Sequence, residues 1–378
     1  MGNGADQMIY LTDYRITKPG QIDLLDDIVF PQKVQWFPET YNRVKLGMTY
    51  PPHKVAEMVL DPELVKNIRE NKIGKTAFIL ASGNAHFAGI NPRKTQPTRL
   101  TYDYKFLPFS LTQVFAGRTA QSFGATDHIV TDATACASSM KVLMDVENLI
   151  QNFGFDRVIV LAIEDQVSNS VLEFFGEAQA SLLWKEEQTG IMPSAFDDKN
   201  HGFYVAQGAC LAVFESGKVA MRGDKMPKAA LLGAYTASED CGNAIGQRED
   251  GQGFRNAMEG ALWKARAKAS QVSIVKTHGT GTKSNNVSEK SALENVLSEY
   301  VATSYKQKIG HTMGVSGLLE TCMLIDDLAN GFVPKIENRT QEDSKFLSHD
   351  VQAPSGLIMS LAAGMGNVYS AAVLSTEI

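Results

Sequence analysis

Residues Arg157–Ile163 read RVIVLAI. β-branched and aliphatic side chains follow one another without polar alternation, so a strand formed here has no face left for water. Ala77–Ala81 is a second compact apolar run, and Phe203–Phe214, Ala229–Ala234, Ser273–Thr277 and Leu357–Ala362 are further strand candidates. The segments between them change period. Ser138–Asn152 sets Val142, Leu143, Val146, Leu149 and Ile150 at helical spacing, and Phe254–Ala269, Ser288–Tyr300 and Leu318–Ala329 also read as helices. Fully buried strands alternating with helices require an α/β fold with covered sheets. No repeat, low-complexity tract or Pro/Ser linker divides the 378 residues, which predicts one tightly fused double unit. Residues 16–55 read as irregular and residues 1–7 as a flexible leader.

Composition removes several function classes. Lys+Arg 36 against Asp+Glu 42 leaves a net charge of −6, which argues against nucleic acid as the main partner. The 44% hydrophobic share is that of a chain with a core, not of a disordered one. The longest clear apolar run, Val158–Ile163, falls far short of the roughly 18 residues a membrane helix needs. The start of the chain lacks the apolar centre of a signal peptide, so the expected compartment is the reducing cytoplasm, with free thiols. Cys136, Cys210, Cys241 and Cys322 show no CxxC spacing, so neither a disulfide scaffold nor a metal site is expected. Gly74-Lys75-Thr76 resembles the tail of a phosphate-binding loop, but Arg69 stands where the earlier glycine belongs and a strand follows.

Three segments carry candidate chemistry. The first is Thr131-Asp132-Ala133-Thr134-Ala135-Cys136-Ala137-Ser138-Ser139, between the short extended run His128–Val130 and a helix. Cys136 falls at the helix N-terminus, where unpaired N–H groups favour a thiolate, the nucleophilic form. A small buried core residue is the other reading of such a cysteine. The second is Val275-Lys276-Thr277-His278-Gly279-Thr280-Gly281-Thr282, a histidine at the exit of a buried strand followed by a glycine-rich turn. The third is Lys306-Gln307-Lys308-Ile309-Gly310-His311-Thr312-Met313-Gly314-Val315-Ser316-Gly317. One cysteine and two histidines, each histidine beside glycine at the start of a turn, form a plausible nucleophile set.

Together these segments resemble the active-site motifs of the β-ketoacyl synthases, the condensing enzymes of the thiolase superfamily. The first resembles T-A-C-x-S-S. The second resembles H-G-T-G-T with a glutamate eleven residues after the histidine, here Glu289, and the third resembles K-x-x-x-G-H-x-x-G-x-x-G with a glutamate nine residues after the histidine, here Glu320. Phe196-Asp197 with Gly202-Phe203, and Gly364-Met365-Gly366, are similar to two weaker family motifs. The resemblance implies a thiolase-like fold: two fused similar halves in an α-β-α-β-α layering. Residues 71–220 would form the half with the cysteine and residues 221–378 the half with both histidines, after a divergent N-terminal segment, residues 1–70.

The resemblance also implies roles. Cys136 would take an acyl chain from a thioester, with the backbone N–H groups of Cys136 and Met365 as the oxyanion hole. His278 and His311 would hydrogen-bond the thioester oxygen of a malonyl unit as it loses CO₂. Lys306, partnered by Glu320, would orient His311, or the two would form an ion pair that only shapes the site. Thr280 and Thr282 would hold a phosphopantetheine arm, or merely cap the turn. That arm belongs to an acyl carrier protein, so no cofactor and no metal of the chain's own is expected. Arg93, Lys94 and Arg99 form one candidate basic cluster for the acidic carrier, and Lys264, Arg266 and Lys268 another. Family dimers imply a homodimer, or a heterodimer with a ketosynthase-like partner. The implied activity is decarboxylative condensation in fatty acid or type II polyketide synthesis; the alternatives are a non-elongating acyltransferase or decarboxylase, and a chain-length-setting partner subunit. Ala133, Asn286, Asn200, Gln207, Met365 and Asn367 depart from the family pattern without touching the Cys, His, His and Lys set.

Overall fold

The apolar run at 157–163 is a strand, Arg157–Glu164, with every residue buried. Around it the computed structural model describes residues 8–17, 56, 58–83, 112–164, 174–176, 192–222 and 226–378. The first half supplies β1 (Ile9–Ile16), α1 (Pro62–Glu70), β2 (Thr76–Ala81), α2 (Thr112–Phe123), β3 (His128–Asp132), α3 (Ser138–Gln151), β4 (Arg157–Glu164) and β5 (Gly208–Ser216). The second supplies β6 (Ala229–Ser238), α4 (Gln252–Ala265), β7 (Val272–Lys276), α5 (Lys283–Val296), β8 (Val301–Thr303) and α6 (Ser316–Ala329). It continues with a small pair, β9 (Phe332–Val333) and β10 (Val351–Gln352), and ends with β11 (Leu357–Gly364) and β12 (Val368–Ser375).

The main sheet runs β3-β2-β4-β5-β1-β6-β12-β11-β7-β8. Read outward from the centre, its two arms have the same plan. Each begins with the first strand of its half, continues with the last and ends on a parallel edge pair, β2 with β3 and β7 with β8. The arms meet where Ile9–Leu11 of β1 pairs antiparallel with Ala229–Leu231 of β6.

Three apolar cores give the layering. On the outer face of the first arm, Phe78, Leu80 and Leu161 pack under Leu64 of α1 and Phe115 of α2. On the outer face of the second, Val275, Met359 and Leu361 pack under Phe254 of α4 and Leu293 of α5. Between the arms, Val142 and Val146 of α3 and Leu319 and Leu324 of α6 meet Ile79 and Val160 on one side and Ile274 and Ile358 on the other. The order is therefore helices, sheet, helices, sheet, helices. Among the described residues no helix is long and apolar enough to cross a membrane.

Several boundaries differ from the sequence reading, each for a local reason. The strand expected at Phe203–Phe214 begins at Gly208, because Tyr204 and Ala206 instead bond the backbone of His311. The helix expected at Phe254–Ala269 ends at Ala265, where Arg266 turns left-handed with φ 52° and bonds back to Leu262 and Trp263. The helix expected from Ser288 starts at Lys283, since the Thr282 side chain accepts the Asn285 N–H. The sequence reading places no strand before Ala77, yet β1 lies in the middle of the sheet, antiparallel to β5 and β6. Nearly all of the stretch read as irregular, and the leader, lie outside the described residues.

Candidate active site

The two middle-layer helices begin alike. Ala135 and Met313 have φ +48° and +49°, values non-glycine residues rarely adopt. Each opens a one-turn 3-10 segment, Ala135–Ala137 and Met313–Val315, which runs into α3 and α6 respectively. Cys136 lies in the first turn, and His311 sits two residues before the second. The turns are pressed together: a Cβ on Gly83 would lie 2.9 Å from the Gly314 nitrogen and 3.1 Å from the Ala135 oxygen. Such local strain persists only where the surroundings hold it in place.

Cys136 is buried, with Ser138 closing its turn by accepting the Thr134 N–H (2.9 Å) and donating to the Ala135 carbonyl (2.6 Å). The expectation of a thiolate at the helix tip is corrected. Burial pushes the Cys136 thiol up to about 12, and the Lys306 ammonium only partly opposes it. The Glu164 carboxylate, buried at the end of β4, pushes the same way as burial. The resting group is the thiol, so its proton must leave as the nucleophile attacks.

The rings of His278 and His311 meet edge to face, with centroids 5.6 Å apart. The His311 backbone is fixed by 2.6 Å and 2.9 Å bonds to Tyr204 and Ala206, and its ring packs edge-on against Phe203 at 4.9 Å. His278 and Gly279 present their N–H groups to the Glu289 carboxylate, which also accepts from the Asn285 amide. The Nδ1 atoms of both rings are buried and bond no described residue. Burial, followed by the Lys306 charge, holds both imidazoles well below their usual pKa, so both are neutral at pH 7.

Lys306 and Glu320 pair at 2.8 Å and 3.1 Å with no exposed side-chain surface. Thr280 is buried and its hydroxyl lies 3.2 Å from that of Thr282, which caps α5. Glycine is needed at 281: φ is +74°, and a Cβ there would lie 1.9 Å from the Ser194 carbonyl oxygen. The end of β11 reaches the cysteine turn, where a Cβ on Gly364 would lie 3.3 Å from the Cys136 nitrogen; Met365 follows it at the surface. The Cys136 turn thus adjoins the turn after His311 and the end of β11, and the His311 ring in turn faces that of His278.

The basic clusters fare differently. Arg93, Lys94 and Arg99 lie outside the described residues. Lys264, Arg266 and Lys268 do not share a helix face: Lys264 pairs with Glu147 at 3.2 Å, Arg266 is the helix cap, and Lys268 lies beyond it. Two charged residues were missed. Glu164 could have been found as an acid terminating an apolar strand. Lys276 ends another such strand, where a lysine gives no sequence signal of burial, and its Nζ lies 3.4 Å from Glu320.

Two family models match the chain: the β-ketoacyl synthase N-terminal domain over residues 56–220 and the C-terminal domain over residues 228–340. The chain belongs to the β-ketoacyl synthase family. It is 25% identical to the tetracenomycin polyketide synthase ketoacyl synthase alpha subunit of Streptomyces glaucescens, over 99% of this chain and 91% of that protein. Identity is 27% to the oxytetracycline polyketide putative beta-ketoacyl synthase 1 of Streptomyces rimosus, over 72% of this chain and 65% of the relative. It is 26% to 3-oxoacyl-[acyl-carrier-protein] synthase 2 of Synechocystis, over 63% and 58%. The chain therefore spans less than two-thirds of these last two relatives. Among solved structures, AntDE:AntF, a type II PKS acyl-carrier protein in complex with its ketosynthase, superposes with TM-score 0.80 at 17% identity over 97% of this chain and 98% of that one. The ishigamide ketosynthase/chain length factor superposes with TM-score 0.72 at 15% identity over 98% and 99%. At such identities the likeness is one of fold, and that fold is thiolase-like.

Proposed function

We propose that this protein is a β-ketoacyl-[acyl carrier protein] synthase of fatty acid or type II polyketide synthesis. The observation that supports the reading is a pair of neutral, edge-to-face imidazoles, one of them just before a turn pressed against that of a buried thiol, with the Lys306 charge acting on all three groups. The Cys136 sulfur attacks the carbonyl carbon of an acyl thioester. Its proton goes to the departing pantetheine thiol, and an acyl-cysteine forms. The backbone N–H groups of Cys136 and Met365 receive the charge that develops on the carbonyl oxygen. A malonyl thioester then enters, and His278 and His311 donate hydrogen bonds to its carbonyl oxygen. The bond to the carboxylate breaks, CO₂ leaves, and the electron pair stays as an enolate. The enolate carbon attacks the acyl-cysteine, a carbon–carbon bond forms, and the sulfur leaves as a thiolate that takes a proton from solvent.

Lys306, held by Glu320, orients His311, and Thr280 and Thr282 line the approach of the pantetheine arm. That arm arrives on the carrier protein, so the chain needs no cofactor and no metal of its own. The further partner is a second copy of this chain or a ketosynthase-like chain, in keeping with the fold shared with a ketosynthase/chain length factor. The reducing cytoplasm suits a nucleophile that must remain a free thiol.

Intact-mass analysis after mixing with acyl- and malonyl-carrier tests the reading. The wild-type protein should gain the acyl mass and release a chain-extended product. Cys136→Ala should gain no mass, and labelling unchanged in that variant would remove the proposal. His311→Ala should keep the adduct but lose decarboxylation and product. A wild-type adduct without extension would favour the non-elongating acyltransferase.

A further inference from the structure

Two lysines share one glutamate in the middle of this site. Lys306 donates to both oxygens of Glu320, at 2.8 Å and 3.1 Å. Lys276 approaches the same carboxylate at 3.4 Å and donates to the Leu361 carbonyl at 2.6 Å. None of the three side chains has any exposed surface. Lys276 is the last residue of β7, two positions before His278. Its bond to Leu361 ties β7 to β11, the strand that ends at Gly364 against the cysteine turn.

A single ion pair does not need a second ammonium, and burying one is costly unless it meets another charge. The other charge is Glu289, fully buried, which accepts from the N–H groups of His278 and Gly279 and from the Asn285 amide. Burial raises the Glu289 carboxyl, and the three donors and the Lys276 charge only partly oppose it. Beside the rings of His278 and His311 the interior therefore holds Glu289 and Glu320 together with Lys276 and Lys306, while a third buried acid, Glu164, acts on Cys136. Without Lys276, two carboxylates would face one ammonium, and the groups able to restore balance by taking a proton are the imidazoles of His278 and His311 and the two carboxylates themselves, of which Glu289 is already raised by burial.

We propose that Lys276 is a positioning residue whose buried ammonium, shared with Lys306 on Glu320, keeps His278 and His311 neutral. The role rests on the condensing reading above, in which both rings must act as neutral donors, yet it concerns the resting protein. The Lys276 charge presses on both rings in the same direction as burial and Lys306. The ammonium is itself weakened by burial, to about 8, and remains mostly protonated at pH 7.

Histidine titration by NMR in the substrate-free protein tests this, with assignments from His278→Gln and His311→Gln. In the wild type neither ring should protonate near pH 6.5. In Lys276→Met, and in Lys276→Gln, which keeps a donor for the Leu361 carbonyl, at least one ring should titrate at higher pH than in the wild type. Lys276→Arg, which keeps the charge, should leave the titration in place. The acid limb of the condensation rate should move up with the rings in the neutral variants only. Unchanged titration in a folded neutral variant, an equal shift in Lys276→Arg, or a wild-type ring that protonates near pH 6.5 would overturn the inference. Shifted rings in a protein that makes no extended product would count instead against the condensing reading, leaving the role of Lys276 intact.

Discussion

The Ser139 hydroxyl donates to the Val315 carbonyl at 3.1 Å and accepts the Leu318 N–H at the same distance, so the start of α3 is clipped to the start of α6. These helices follow the cysteine and second histidine turns. The second serine of the T-A-C-x-S-S motif is thus a joint between the halves, and the first, Ser138, closes its own turn. Ser139 is fully buried, so Ser139→Ala leaves a helix N-terminal N–H without its partner. The variant should lose about 1–3 kcal/mol in denaturant unfolding. Acyl transfer to Cys136 should slow while the far-UV spectrum stays unchanged. Wild-type stability in the variant would show that the joint carries no load.

The cysteine is expected to react as a buried thiol. With its pKa near 12, the thiolate fraction at neutral pH is very small. The rate of alkylation of Cys136 by iodoacetamide should rise about tenfold per pH unit from pH 7 to 10 without levelling. Mass mapping of the labelled peptide over that range gives the profile. A plateau below pH 8 would mean that the helix tip and Lys306 overcome burial.

Much of the frame can be read in the sequence, because strands buried on both faces cannot hide: RVIVLAI has one use. Cys136, His278 and His311 are legible for a related reason, since each stands beside glycine or small residues at the exit of a strand or the entry of a helix. Strand β1 is not. Its burial runs from full at Ile9–Leu11 to partial beyond, and its sequence holds Thr12, Asp13, Tyr14 and Arg15, so no period-two signal survives. Lys276 is invisible for a different reason. A lysine ending a strand is ordinarily solvated, and only the carboxylate brought by α6 and the carbonyl brought by β11 make it a core residue. The left-handed backbone at Ala135 and Met313 has no sequence mark at all, because tertiary packing imposes it on residues that do not favour it.

Close approach of the middle helices depends on Gly317. A Cβ there would lie 2.1 Å from Cγ of Met140, whose sulfur faces the hydroxyls of Thr321 and Ser360. Gly317→Ala gains up to ~1 kcal/mol in helix propensity but forces Met140 from its site, and overpacking costs about 1–3 kcal/mol. The variant should be net destabilised. Met140→Ala in the same chain should recover part of the loss, giving a favourable coupling in a double-mutant cycle. Additive effects would place the strain elsewhere.

Acid should weaken the joint that Asp197 makes between the segments at 196–202 and 339–341. Asp197 accepts the N–H groups of Lys199 (2.9 Å) and Asn200 (2.8 Å) with one oxygen and those of Thr340 (2.6 Å) and Gln341 (3.3 Å) with the other. Burial alone would raise this carboxyl, but those donors outweigh it and hold the group at about 2, below its ordinary 3.8. A depressed carboxylate contributes stability that is fully present above the unfolded value and is lost as pH falls through the folded one. The window therefore runs from about pH 4 down to about pH 2, and the contribution is ~2 kcal/mol. Asp197→Asn removes the titrating group, so its stability should already be lower at pH 7, and its further loss between pH 4 and pH 2 should be smaller than in the wild type by about that amount. Urea unfolding at each pH gives both curves. Parallel curves over the acid range would show that Asp197 titrates there no differently from a carboxyl of the unfolded chain.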